Sequence, residues 1–232
     1  MTTNPDERLW HYYQVENTSG FDKGSRDKIR ILSRAIAKAT GPSDFICEIG
    51  LGNGQLLHDL SRNRKVMGID LCESTIQRLK SKSEFKEIEL RQGDITNLKP
   101  ICKNKDINVF ITIDVIEHLE ENELERACND IYDILPKRGK WFINVPWNEN
   151  LKDNEIFCPH CQKTFHRVGH KQSFDEKRLI RLMKNCGFRM NFIKKIFPSN
   201  VLLPFPLLLF YRIIARIYLK NYSCLFALFQ KE

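Results

Sequence analysis

The 232-residue sequence predicts an α/β fold: a mostly parallel, seven-stranded sheet with helices on both faces. Three observations predict it. Short apolar runs alternate with segments of helical period, the pattern of a parallel sheet with crossover helices. Four of those runs end on, or run into, an acidic residue, where open α/β sheets place their ligands. The first run leads into a glycine-rich turn that opens a helix.

In chain order, Ile29, Leu32, Ala35, Ile36 and Ala39 share one face of a helix expected over Gly24–Thr40, stopped by Gly41-Pro42. Asp44–Gly50 is the first strand, and Gln55–Arg62 the helix after its turn. Lys65–Asp70, Ile88–Gln92, Ile107–Asp114 and Lys140–Val145 follow as strands, with helices at Ser74–Ser83 and Glu117–Leu135 between them. Ser173 and Glu176 form a capping-box pattern for a helix to about Asn185, ended by Gly187. Phe188–Phe197 is the sixth strand. Ser223–Phe229 is expected as a seventh, antiparallel and closing the sheet. The chain divides into an N-terminal helical segment (1–43), a core (44–147), an insertion (148–172) and a C-terminal part (173–232).

With 42% hydrophobic and 28% charged residues, the composition excludes a disordered chain. The net charge of +8 is uneven: residues 1–150 hold 22 Lys and Arg against 24 Asp and Glu, whereas residues 151–232 hold 15 against 5. That asymmetry suits an anionic partner for the C-terminal third, or a solvated basic face. No signal peptide is read in the first ten residues and only Cys158 and Cys161 are closely spaced, so a reducing cytoplasm is expected.

The strand ends carry Glu48-Ile49-Gly50-Leu51-Gly52-Asn53-Gly54, then Asp70-Leu71, then Gly93-Asp94-Ile95, then Asp114. The glycines allow a tight turn and close backbone approach, and an acid ending the second strand can accept from a ribose diol. A nicotinamide fingerprint would need its third glycine at position 55, which is Gln.

Taken together, EIGLGNG, GID, GDI and DVIEHLEE (Asp114–Glu121) resemble class I S-adenosylmethionine-dependent methyltransferases, over about residues 20–147. The resemblance implies their Rossmann-like fold and S-adenosyl-L-methionine as cofactor. It implies that Gly50, Gly52, Asn53 and Gly54 line the methionine part and that Asp70 and Leu71 hold the ribose. Asp94 and Ile95 hold the adenine, Glu48 supports the glycine turn, and Asp114 lies near the amino-acid moiety. Substitution Asp70→Ala is then expected to weaken cofactor binding while the fold survives.

Methyl transfer from a sulfonium asks the protein mainly to align nucleophile and donor, with a base where the acceptor is a hydroxyl. His118 is the candidate general base; its alternative role is to cap or orient the following helix. Asp114, Glu117 and His118, at helical spacing, could also hold a divalent cation, and some ubiquinone-pathway and small-RNA methyltransferases carry a similar run with a metal.

The insertion holds Cys158, Cys161, His166 and His170, in the pattern C-x2-C-x4-H-x3-H. Two thiolates and two imidazoles make a tetrahedral zinc set, so a structural zinc knuckle is expected.

Ile196–Tyr211 carries no charge, and Arg212, Arg216 and Lys220 follow at helical spacing. The segment 198–221 suits a peripheral contact with the inner face of a membrane, a lid over a lipid-like acceptor, a dimer contact or a core helix. The function expected is methylation, at oxygen, of a small-molecule, glycan or lipid-linked acceptor. The alternatives are a nucleic-acid methyltransferase and a non-catalytic cofactor-binding protein.

Overall fold

The computed structural model describes residues 5–12, 23–196 and 224–232. The apolar stretch over 198–221 lies outside the described residues.

The elements follow in chain order: α1 (Pro5–His11), α2 (Lys23–Ala39), β1 (Phe45–Ile49), α3 (Gln55–Ser61), β2 (Lys65–Asp70), α4 (Glu73–Lys80), β3 (Glu89–Gln92), β4 (Val109–Ile113), α5 (Glu121–Ile134), β5 (Lys140–Pro146), β6 (Glu155–Cys158), β7 (Lys163–His166), α6 (Glu176–Asn185), β8 (Phe188–Ile196) and β9 (Cys224–Lys231). Seven strands form one sheet in the order β3-β2-β1-β4-β5-β9-β8. The first five run parallel, and β9 is antiparallel to both its neighbours. This is the predicted Rossmann-like methyltransferase sheet.

The period-two alternation of the central strands feeds two cores. Phe45, Cys47 and Ile49 of β1 and Phe110 of β4 join Leu124, Ala127, Ile131, Leu179 and Met183 on the face covered by α5 and α6. Ile46 of β1 and Val109, Ile111 and Ile113 of β4 meet Leu32, Ile36, Leu57, Leu60 and Leu79 on the opposite face. Trp141 is fully buried, and its indole N–H donates to the Thr112 hydroxyl at 3.1 Å, so its one polar atom is satisfied.

Four expectations need correction. The last strand does not close the sheet at its edge: β9 lies between β5 and β8, and β8 is the edge. The segment expected as one helix from Glu117 is a 3-10 turn at Ile116–His118 followed by α5 from Glu121. The break comes because Glu120 and Glu123 form a reciprocal capping box that starts the helix there. In α6 the cap is Asp175, accepting from the Arg178 N–H at 2.6 Å, rather than Ser173. The insertion contains a hairpin, β6–β7, read from the sequence only as a loop.

An interior last strand gives a direct test. Truncation before Cys224 unpairs β5 and β8 together and removes Leu225, Ala227 and Phe229 from one core and Phe226 and Leu228 from the other. The shortened chain is expected to lose cooperative unfolding. Thermal unfolding followed by circular dichroism checks this, and a sharp transition within about 10 °C of the full chain would contradict it.

Candidate functional site

The carboxyl ends of β1 to β4 bring the predicted polar residues to one side of the sheet. After β1 the chain turns through Gly50, Gly52 and Gly54, all at positive φ (81°, 51° and 80°). A Cβ at Gly50 would fall 2.4 Å from Val115, and one at Gly54 2.5 Å from Phe85. These two glycines are therefore required by the protein's own packing, before any ligand is considered. Asn53 Oδ1 accepts from the Gln55 N–H at 3.0 Å and so starts α3.

Asp70 is buried and holds the turn in place: Oδ2 accepts from the Leu51 N–H at 2.8 Å and Oδ1 from the Cys72 N–H at 2.9 Å. Burial pushes its carboxyl above the usual range despite those two bonds. Beneath the turn, Glu48 is buried, and burial followed by the neighbouring Asp70 pushes its carboxyl well up; its Oε2 has no hydrogen-bond partner. Arg78, from α4, donates to the Gly52 carbonyl at 2.6 Å. Asp94 caps the 3-10 turn Ile95–Asn97 by accepting from the Thr96 N–H at 2.8 Å; Ile95 is buried and Leu71 half-buried.

Asp114 leaves β4 at φ 53°, in the left-handed region, so it does not share a helical face with Glu117 and His118 as expected. Its Oδ2 pairs with Lys28 of α2, and its buried Oδ1 has no partner. Burial opposes the Lys28 charge, but Asp114 outweighs it and holds the ammonium above its ordinary range. Lys28 was missed in the sequence because it is one of several cations in a helix, and only the fold brings it to the strand ends.

Three further side chains gather beside this turn. His118 lies over His170, ring centroids 4.7 Å apart, and its Nδ1 is 3.1 Å from the Gly169 carbonyl. Burial, then the neighbouring His170, lowers its pKa to about 4. Glu117 is fully buried. Its backbone carbonyl accepts from the N–H groups of Lys171 and Gln172 at 2.8 and 2.9 Å, which ties the insertion to the core.

The zinc knuckle expected of Cys158, Cys161, His166 and His170 is not formed. Cys158 pairs with Lys163 at one end of the hairpin, whereas His166 pairs with Glu155 at the other. Among the described residues the ligand-type side chains that gather are Glu117, His118 and His170, and Glu149, His166 and His170, with neither cysteine among them. Cys161 is exposed. His166 and His170 turn the other way, stack on one another with centroids 4.7 Å apart, and meet Glu149. Glu149, which no local pattern singles out, accepts from His170 Nδ1 at 2.5 Å. Burial pushes its carboxyl up, but the hydrogen bond from His170 and its charge outweigh that and hold it below the usual range.

The core of this sheet is matched by the family model described as a methyltransferase domain, over residues 46–139. Over that core the chain is similar to methyltransferase domains. Solved structures agree in fold. The PH0226 protein of Pyrococcus horikoshii superposes with a TM-score of 0.67 at 16% identity, covering 100% of both chains. The N-methyltransferase NodS of Bradyrhizobium japonicum, solved with S-adenosyl-L-homocysteine, gives 0.66 at 14%, covering 98% of this chain and 99% of NodS. The 1,6-didemethyltoxoflavin-N1-methyltransferase of Burkholderia thailandensis gives 0.65 at 11%, covering 97% and 85%. No curated protein matches the sequence.

Because Asp70 satisfies two buried N–H groups of the protein itself, the expectation that Asp70→Ala spares the fold is revised. The substitution should lower the stability of the cofactor-free protein by about 1–3 kcal/mol, as two buried donors lose their acceptor. Equilibrium urea unfolding measures it. A midpoint unchanged from wild type would show that Asp70 does not hold the turn.

Proposed function

We propose that this chain transfers the methyl group of S-adenosylmethionine to an oxygen of a small-molecule, glycan or lipid-linked acceptor. The observation that carries the donor half is the set of polar atoms at the strand ends. The glycine turn is already held in its strained conformation by Asp70 and Arg78, and Glu48 Oε2 and Asp114 Oδ1 are buried there without partners. Buried polar atoms of this kind call for a partner, and a polar cofactor lying across β1 to β4 would supply it.

In this reading Gly50, Gly52, Asn53 and Gly54 take the methionine part, Asp70 and Leu71 the ribose, and Asp94 with Ile95 the adenine. Asp70 and Asp94 each use one lone pair per bonded oxygen on the protein, which leaves acceptor capacity for hydroxyl and amino groups. Asp114, already paired with Lys28, faces the amino-acid end, where ammonium and carboxylate would complement the pair. When bound, the cofactor supplies an activated methyl group, and the residues align it with the acceptor.

The acceptor half rests on the insertion. Its hairpin exposes Ile156, Phe157 and Phe165 to solvent, an apolar surface that suits a hydrophobic or lipid-linked acceptor, or contact with a membrane surface. Among the described residues no helix is long and apolar enough to cross a membrane. An oxygen acceptor is favoured by His118. The Gly169 carbonyl can only accept, so His118 Nδ1 carries the proton and Nε2 the lone pair. Such a nitrogen can take a hydrogen bond from a hydroxyl. With its pKa near 4 it is a weak proton acceptor, below the strength best suited to a general base at neutral pH.

Incubation with S-adenosylmethionine labelled at the methyl group and pooled quinols, lipids, glycans and RNA tests the proposal. Label is expected in a lipid, glycan or small-molecule fraction, as an ether or ester. Label in RNA, or on nitrogen, would replace the acceptor assignment. Absence of calorimetrically detectable binding of S-adenosylhomocysteine would overturn the donor assignment.

A further inference from the structure

We propose that Cys186 and Cys128 are an oxidation site, which a hydroperoxide converts to a disulfide linking the end of α6 to α5. The first ground is how closely the end of α6 is pressed onto one stripe of α5. Cys128 and Tyr132 stand four residues apart in α5, on the same helical face. Three consecutive residues meet that stripe. The Cys186 thiol is hydrogen-bonded to the Cys128 thiol. Gly187 takes φ 84°, and a Cβ there would fall 2.7 Å from the Tyr132 ring. The Phe188 ring meets Tyr132 edge to face, with centroids 5.3 Å apart. The thiol pair is thus held in place by packing that involves no sulfur.

The second ground is that the two thiols are not equally reachable. Cys128 is fully buried in the core beneath α5 and α6. Cys186 is half-buried and lines a cleft of about 250 Å3 between the two helices, with Glu125, Asn129, Arg181, Leu182 and Asn185. A small oxidant therefore meets Cys186 first. The hydrogen bond divides the roles in the same sense. Donated by Cys128, it holds the Cys186 thiol below its ordinary range, against burial and the nearby Glu125 charge. The same bond, together with burial, pushes the Cys128 thiol up. A reachable cysteine that ionises readily, beside a second that can resolve it, is the arrangement of oxidant-sensitive thiols. Cys47 and Cys102 also share a hydrogen bond, but both are buried.

The chemistry runs in two steps. The Cys186 thiolate attacks one oxygen of the hydroperoxide. A sulfur–oxygen bond forms, the oxygen–oxygen bond breaks, and the other oxygen leaves and takes a proton as water or an alcohol. Cys186 is then a sulfenic acid. The Cys128 sulfur, giving up its proton, attacks the Cys186 sulfur. The sulfur–sulfur bond forms, the sulfur–oxygen bond breaks, and the hydroxyl leaves with that proton as water. The two thiols together lose two electrons, which reduce the peroxide bond. A thiol reductant reverses the change, so in a reducing compartment the disulfide is transient. The loop it closes carries β5, the hairpin β6–β7 and α6, so oxidation fastens the part of the chain that holds the insertion.

The test is oxidation of the full, reduced chain carrying Cys158→Ser and Cys161→Ser, so that the hairpin thiols do not compete. The folded protein is treated with hydrogen peroxide and mapped by mass spectrometry without reduction. A peptide joining Cys128 to Cys186 is expected, lighter by two hydrogens than its two free halves and lost on treatment with dithiothreitol. Adding Cys128→Ser should stop the reaction at the sulfenic acid, so that dimedone labels Cys186. Adding Cys186→Ser should abolish the cross-link and leave Cys128 unlabelled. If Cys128→Ser does not fold, the cross-link in the parent chain and its loss in Cys186→Ser decide. A Cys186 that stays reduced in the folded chain would overturn the proposal. So would a cross-link that forms only in denaturant, or dimedone labelling of Cys128 in Cys186→Ser.

Discussion

The turn between Asp114 and His118 is the constraint on which the two halves of the molecule depend. On one side it packs Val115 against Gly50, so that no residue with a Cβ fits in the first position of the glycine turn. On the other, the Glu117 carbonyl takes the N–H groups of Lys171 and Gln172, and the His118 ring meets Gly169. Four successive residues thus register the strand-end crevice against the insertion. The left-handed conformation of Asp114 makes this possible. By breaking the chain direction before α5, it aims Asp114 at Lys28 and leaves Glu117 and His118 facing the insertion. A continuous helix would have carried all three on one stripe and lost one of the two contacts.

This turn also marks where the sequence stops being a sufficient guide. Alternation in β1 and β4 and the glycine turn after β1 are local signals, set by residues within a few positions of one another, and the sheet they predict is the one formed. The partnership of His166 and His170 is not local. Their spacing from Cys158 and Cys161 matches a zinc knuckle, but the spacing says nothing about the hairpin between them. Once β6 and β7 pair, cysteines and histidines are carried to opposite ends. Glu149 is silent in the sequence for the same reason. It stands among other polar residues after β5, and only the fold of the insertion brings it to His170. Lys28 reaches Asp114 across 86 residues of chain, a distance over which no periodicity speaks.

The last strand shows a related limit. Its apolar run was legible, but its place between β5 and β8 depends on the path of the chain from β8, through residues outside those described here. Period alone distinguishes a buried strand from an exposed one. It does not distinguish an interior position from an edge, because β9 is apolar on both faces for the same reason that any central strand is.

Buried acids stand in both halves of the molecule, and burial acts on them in the same direction. In the crevice, Asp70 is met by backbone N–H groups and Asp114 by an ammonium, so the protein itself neutralises much of what it buries. Glu48, pushed well up by burial and by Asp70, fits the same economy as an uncharged acid under the turn. Glu117 follows the same pattern: burial, then the neighbouring Asp114, pushes its carboxyl well up. In the donor half Glu48 Oε2 and Asp114 Oδ1 are left without partners inside the protein, and beside the insertion so are both side-chain oxygens of Glu117.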